Sequence, residues 1–201
     1  MRRASVSFLA IITLVGLVFG GFLISSPNKT TNPETVDTSL LYRTGSPIKG
    51  NGNAPIKITI FSDYLCPYCK DAHAVINNIL SSNSQDVAIY YRNLIIHENA
   101  EIFTRAALAS NKQGKFAQFD NILFEREIES TEDAIINIAK EIGLNIDNFK
   151  SDLNSSDTNN IITQDEQDAT SLQIRGTPTI FLNDQRVEDF RTLPDLIKDM
   201  V

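Results

Sequence analysis

Apolar and polar positions alternate from Ile56 to Phe61, where Ile56, Ile58 and Ile60 are separated by Lys57 and Thr59, and this two-residue period predicts a β-strand that Ser62-Asp63 closes. Downstream, Ala72, Val75, Ile76, Ile79 and Leu80 recur at helical spacing. Val87-Ala88-Ile89-Tyr90-Tyr91 forms a second strand, and a helix between two such strands implies a right-handed parallel crossover. From Asn99 to about Arg175 the period turns helical. Ile102, Ala106, Leu108 and Ala109 mark a first stripe, Phe116, Phe119, Ile122 and Leu123 a second, and Ile135, Ile138 and Ile142 a third. Ser130 with Asp133 is the expected cap of that third helix and Gly143 its stop, and a last helix of the block is expected from about Thr158 to Gln173. Stripes of this kind belong in a core, so no ligand is assigned to them. The chain then returns to strand: Thr179-Ile180-Phe181-Leu182 and Arg186-Val187 flank Asn183-Asp184, residues that tolerate the left-handed backbone of a tight hairpin. Thr192 with Asp195 is the expected cap of a closing helix with Leu193, Leu196 and Ile197 on its apolar face. The order is βαβ, a helical block, then ββα, which is an α/β architecture.

The N-terminus departs from this pattern. Arg2-Arg3 precedes an uncharged, mostly apolar run over 4–24, whose 21 residues span about 31 Å as a helix, enough to cross a hydrocarbon core of about 30 Å. The run is longer than the apolar stretch of a cleaved signal peptide and lacks an Ala-x-Ala-like site, Val18-x-Gly20 being the nearest substitute, so residues 1–24 are expected to be an uncleaved membrane anchor, with a signal segment as the alternative. The two arginines place the remainder outside the cytoplasm. Residues 25–41 are expected to be a flexible linker, since the stretch up to Ser39 is rich in Ser, Thr, Asn and Pro and cannot support a core. Residues 42–201 then form one domain. The net charge is −7 and no Lys/Arg cluster follows the N-terminus, which argues against a nucleic-acid partner.

The chain holds two cysteines, Cys66 and Cys69, at the junction between the first strand and its helix. Residues three apart at a helix start are neighbours, close enough for a disulfide to open and close with small adjustment. Cys66 falls at or near the N-cap and Pro67 at the first helical position, where its missing N–H costs nothing. The unpaired N–H groups of that turn point toward the Cys66 sulfur and favour its anionic form. Cys66 is therefore the expected nucleophile, and Cys69, one turn deeper, the residue that closes the bond. A structural zinc site needs four ligands, and His73 and His97 are too far apart in sequence to complete it, so no metal or cofactor is expected. A merely structural disulfide closing so short a loop removes little chain entropy.

These residues resemble the exported, DsbA-like thiol-disulfide oxidoreductases of the thioredoxin superfamily. Phe61-Ser62-Asp63-Tyr64-Leu65-Cys66-Pro67-Tyr68-Cys69 is similar to the active-site segment of that family, Gln113-Gly114-Lys115-Phe116 and Leu123-Phe124-Glu125 to its helical insert, and Gly176-Thr177-Pro178-Thr179-Ile180-Phe181-Leu182 to the loop and strand opposite the cysteines. The resemblance runs from about Ser46 to Val201 and implies a thioredoxin fold with an inserted helical subdomain over about 99–175. It further implies a cis Thr177–Pro178 bond beside the reactive sulfur, with the Thr177 backbone pairing to a bound substrate strand. The expected site is thus Cys66 and Cys69 as the catalytic pair, Pro67, Tyr68 and Asp63 in support, and Thr177 and Pro178 for substrate.

The sequence departs from the strong oxidases of this family at Tyr68, where they often carry histidine. Tyrosine cannot carry positive charge, so a less oxidising pair is expected. Pro67-Tyr68 is also the glutaredoxin dipeptide, but glutaredoxins lack the helical block and the export segment. Asp63 has two open readings, a buried carboxylate that assists proton transfer to Cys69 and an exposed cap for the loop. Lys70 is expected in solvent. His73, one turn past Cys69, is expected at the surface, the other reading being that it tunes Cys69. The implied activity is dithiol-disulfide exchange on cysteine-containing exported proteins, as an oxidase served by a membrane quinone-linked partner. The alternatives are a reductase or isomerase using the same dithiol, and a tethered metallochaperone using Cys66, Cys69 and a histidine. The implied location is the cell membrane, single-pass, with the domain on the extracytoplasmic side.

Overall fold

A computed structural model describes residues 36–200. The apolar run over 4–24 and most of the expected linker lie outside the described residues, and among those described no helix is long and apolar enough to cross a membrane. A 3-10 turn at Thr38–Leu40 leads to β1 (Ile48–Gly50), β2 (Ile56–Ser62), α1 (Pro67–Ser82) and β3 (Val87–Asn93). Five helices follow: α2 (Glu101–Lys112), α3 (Phe116–Glu125), α4 (Glu132–Glu141), α5 (Ile146–Leu153) and α6 (Ser156–Ser171). The chain closes with β4 (Thr179–Leu182), β5 (Gln185–Val187), a 3-10 turn at Phe190–Thr192 and α7 (Leu193–Lys198). This is a thioredoxin fold whose two halves are separated by the helical block.

The five strands lie in the order β1-β3-β2-β4-β5. β2 runs parallel to β3, Ile56 opposite Val87 and Ser62 opposite Asn93, as the crossover through α1 requires. β4 pairs antiparallel to β2, with Phe61 opposite Thr179, so the C-terminal end of β2 and the start of β4 meet at one end of the sheet. Alternation along the strands feeds two cores. Ile56, Ile58, Ile60, Ile180 and Leu182 face a large cluster with Ala72, Ile76 and Ile79 of α1, Phe103 of α2, Phe116 and Phe119 of α3 and Leu193 and Ile197 of the closing segment. Phe61 and Phe181 face a second cluster with Leu41, Ala169 and Ile174. Burial of a large apolar side chain is worth about 1.5–3 kcal/mol, so both faces of β2 are strongly fixed in register.

The described end of the expected linker is folded. Leu41 is fully buried in the second core, and Asp37 caps the 3-10 turn by accepting from the Ser39 N–H. The cause is a buried cation. Arg92 of β3 donates to Asp165 and Asp168 of α6 at 2.6 and 2.5 Å and also to the carbonyl of Leu40, so the turn completes the solvation of a fully buried guanidinium. Arg43 adds a bidentate pair to Asp168 at 2.6 and 2.7 Å.

Several helix ends differ from expectation. Thr131, not Ser130, caps α4, accepting from the Ala134 N–H at 3.3 Å. Ser155 caps α6 two residues or so ahead of the expected start. Thr192 does not cap α7 through its side chain, which instead donates to the Asp189 carbonyl at 2.8 Å, while Asp189 caps the 3-10 turn. Gly143, at φ +74°, ends α4 in the left-handed conformation expected of a helix stop. β1 escaped the sequence pattern because it is three residues long, and its Gly50 is forced: at φ +84° a Cβ there would sit 2.3 Å from the Val87 carbonyl oxygen.

Candidate active site

The end of the sheet where β2 and β4 meet carries the two cysteines and the loop before β4. Cys66 is the N-cap of α1, with extended φ/ψ of −79° and 120°, and Pro67 is the first helical residue. The cap is made without a side-chain bond, so the first-turn N–H groups of α1 remain directed at the Cys66 end. The Cys66 carbonyl accepts from the N–H groups of Cys69 and Lys70 at 3.0 and 3.2 Å, which starts the helix. The burial of the pair is unequal: Cys66 keeps 5% of its surface open and Cys69 none. Both are free thiols.

The Cys66 thiol donates to the Thr177 carbonyl at 3.4 Å, and the Thr177–Pro178 bond is cis. The structure thus brings the Cys66 and Cys69 pair together with Thr177 and Pro178, which lie more than a hundred positions downstream. Tyr68 points away from them, with 62% of its surface exposed. Lys70 is exposed as expected. Burial pushes the Cys69 thiol up to about 12, against the opposing pull of the Asp63 backbone and the Ser62 and Thr177 hydroxyls.

Asp63 answers to parts of both earlier readings. It is 1% exposed, so it is not a surface cap, yet its oxygens are spent on loops. Oδ1 accepts from the Leu65 N–H at 2.8 Å, and Oδ2 accepts from the N–H groups of Ile96 and His97 at 2.7 and 2.9 Å. The half-exposed His97 ring also lies against it, Nδ1 being 3.2 Å from Oδ2. One carboxylate therefore ties the segment before Cys66 to the loop after β3.

His73 is not at the surface; it is 4% exposed and belongs to a buried polar cluster that sequence reasoning missed. Asp120 of α3, fully buried, accepts from His73 Nε2 at 3.0 Å and from the Tyr64 hydroxyl at 2.9 Å, and pairs with Lys49 Nζ of β1 at 2.6 Å. A carboxylate only accepts, so the Nε2 facing it carries the proton. Burial pushes the Asp120 carboxyl up, but the His73 hydrogen bond and the Lys49 charge outweigh it and hold the group below the ordinary carboxylate value. Burial and the neighbouring carboxylate push the Tyr64 hydroxyl well above its usual range. The His73 ring lies 4.5 Å from that of Phe124, which packs with Tyr64, Cys66 and Cys69. Tyr64 precedes the cysteines and His73 follows them, so the helical block grips both ends of the motif through one carboxylate. The spacing of Tyr64 and His73 around the cysteines was visible in the sequence, but nothing local pointed to Asp120.

The comparisons agree with this geometry. The thioredoxin family described as Thioredoxin_4 matches residues 43–199, and the chain belongs to it. Its fold and the placement of its paired cysteines are those of the thioredoxin superfamily. Among solved structures, a thioredoxin-like oxidoreductase from Silicibacter pomeroyi is 28% identical with a TM-score of 0.73, covering 82% of this chain and 96% of that one. The thiol-disulfide exchange protein alpha-DsbA2 from Wolbachia pipientis shares the fold at a TM-score of 0.73 and 20% identity, covering 82% of this chain and 91% of that one. Among curated proteins, the Na(+)/H(+) antiporter NhaA 1 of Mycolicibacterium vanbaalenii is 27% identical over 180 residues, 85% of this chain and 29% of that protein. The chain thus spans under a third of the length of the curated relatives it matches.

Proposed function

We propose that the protein is an extracytoplasmic, membrane-anchored disulfide oxidase that acts on cysteine-containing exported proteins through Cys66 and Cys69. The observation that carries this reading is the unequal pair, Cys66 with 5% of its surface open and its sulfur against the Thr177 carbonyl, Cys69 wholly buried behind it. In the oxidised form a client thiolate attacks Cys66 Sγ. The Cys66–Cys69 bond breaks, its electron pair leaves on Cys69, and a mixed disulfide with Cys66 forms. A second client thiolate attacks the client sulfur of that bond and expels Cys66, so that the client gains a disulfide and the protein holds two electrons as a dithiol. Tyr68 and Pro67 shape the exposed turn, Asp63 holds the two loops that frame it, and Thr177 and Pro178 offer backbone to the client strand. A membrane quinone-linked partner returns the pair to the disulfide.

Acid quenching of exporting cells followed by alkylation tests the direction. An oxidase is found mainly as the disulfide; a pair held mainly as the dithiol rejects the oxidase reading in favour of a reductase or isomerase. One observation favours that second reading: Tyr68 brings no positive charge to the turn.

A further inference from the structure

Four buried side-chain polar atoms have no hydrogen-bond partner among the described residues, and two of them, Ser62 Oγ and Thr177 Oγ1, flank Cys69. A buried hydroxyl without a partner costs free energy, and such groups in a folded protein call for a reason. Neither residue is short of other work. The Ser62 carbonyl accepts from the Leu94 N–H at 3.0 Å, and the Thr177 carbonyl accepts from Cys66 at 3.4 Å, so it is the hydroxyls alone that stand unused. They approach from different sides of the site, Ser62 from the end of β2 and Thr177 from the loop before β4. In the dithiol state Cys69 is a neutral thiol and makes little demand on them. The demand arises during exchange, when Cys69 leaves as an anion in a site closed to water.

We infer that Ser62 and Thr177 form a two-hydroxyl anion hole for the Cys69 sulfur, each O–H turning to donate to the thiolate at the moment the Cys66–Cys69 bond breaks. The inference rests on the exchange reaction proposed above. The client thiolate forms the new bond to Cys66 Sγ, the electron pair of the old bond passes to Cys69 Sγ, and the two hydroxyls hold that charge until the client's second thiol gives up its proton to it and becomes the thiolate of the next step. Hydroxyl rotors are free to do this without moving any heavy atom. Hydrogen bonds to a charged acceptor are stronger than those to a neutral one, so the pair stabilises the departing thiolate more than the resting disulfide. The high proton affinity of Cys69 conferred by burial is the cost that the hydroxyls offset.

The test compares two rates in the full chain carrying Ser62→Ala or Thr177→Val, after circular dichroism has verified the fold. One is single-turnover reduction of the disulfide form by dithiothreitol, which must expel Cys69. The other is alkylation of Cys66 in the dithiol form by iodoacetamide, which expels nothing from Cys69. The inference expects reduction to slow by roughly tenfold in each variant, while alkylation changes by less than about twofold. Unchanged reduction in both variants overturns it, and so does an equal slowing of both reactions, which marks a general disturbance of the turn. If the unsubstituted protein is itself reduced no faster than oxidised glutathione, the exchange reading falls and the anion hole with it, an outcome that needs no variant to recognise.

Discussion

The Cys66 thiol rests 3.4 Å from the carbonyl of Thr177, so the less buried cysteine of the pair is held by the backbone of the loop before β4. That contact joins the two halves of the fold at one point, the N-terminus of α1 from the first half and the start of β4 from the second. In the exchange proposed here, a client strand lying along Thr177 would bring its own cysteine to Cys66, the member of the pair that keeps 5% of its surface open.

The first prediction separates the two cysteines. Cys66→Ser abolishes turnover, because the attacked sulfur is gone. Cys69→Ser leaves a Cys66 that forms mixed disulfides it cannot resolve internally, so client adducts accumulate on non-reducing gels of exporting cells. An absence of adducts in that variant contradicts the oxidase account.

The second concerns Tyr68. Its ring is largely exposed and brings no cation to the turn, so the protein is expected to be less oxidising than DsbA at about −120 mV. Tyr68→His should raise the potential by about 30 mV or more, which is about 1.4 kcal/mol for two electrons. A redox titration against glutathione measures both values, and a wild-type potential near −120 mV refutes the expectation.

The third concerns Asp63. Three N–H groups from two loops lose their acceptor in Asp63→Ala, and unsatisfied buried donors cost about 1–3 kcal/mol each. Thermal unfolding should show the loss. Exchange rates should fall by a similar factor at every pH from 5 to 8, because Asp63 acts on loop position; a change confined to one end of that range would instead restore the role in proton transfer.

How much was legible in the chain follows from range. β2, α1, β3, the Asn183 hairpin and the placement of Cys66 at a helix start were all readable, because each is written in neighbouring residues. Asn183 takes φ +55°, as a tight turn asks. Helix α5 was passed over although Asn145 caps it and Phe149 and Leu153 are buried one turn apart, since two apolar positions make a thin stripe. The buried His73 could not be read from sequence, because the partner that makes burial tolerable, Asp120, lies 47 residues away. Arg92 was hidden in the same way, its carboxylates being 73 and 76 residues downstream. Charges that are buried in long-range pairs look like surface residues until the fold supplies their partners.

The fourth prediction follows from those pairs. Asp120 and Asp168 are both held below the ordinary value of 3.8, by His73 and Lys49 in one case and by Arg43 and Arg92 in the other, each outweighing burial. A carboxyl depressed on folding adds stability above the unfolded value and loses it as pH falls through the folded one. Asp165 runs the other way, burial raising it despite Arg92, so its contribution improves on acidification. With two groups against one, the melting temperature should hold to about pH 4 and fall below it. Asp120→Asn, which strands Lys49, should cost about 3–5 kcal/mol at neutral pH and flatten the acid decline. A melting temperature that rises between pH 4 and pH 2 contradicts this assignment.

The most direct test of the central claim is transfer of the disulfide itself. Oxidised full-length protein is mixed with a reduced, unfolded polypeptide carrying two cysteines, and free thiols on both are counted over time. The account predicts one client disulfide formed for each Cys66–Cys69 dithiol generated, and no transfer with Cys66→Ser. Absence of transfer from the unsubstituted protein, or transfer that survives Cys66→Ser, contradicts it.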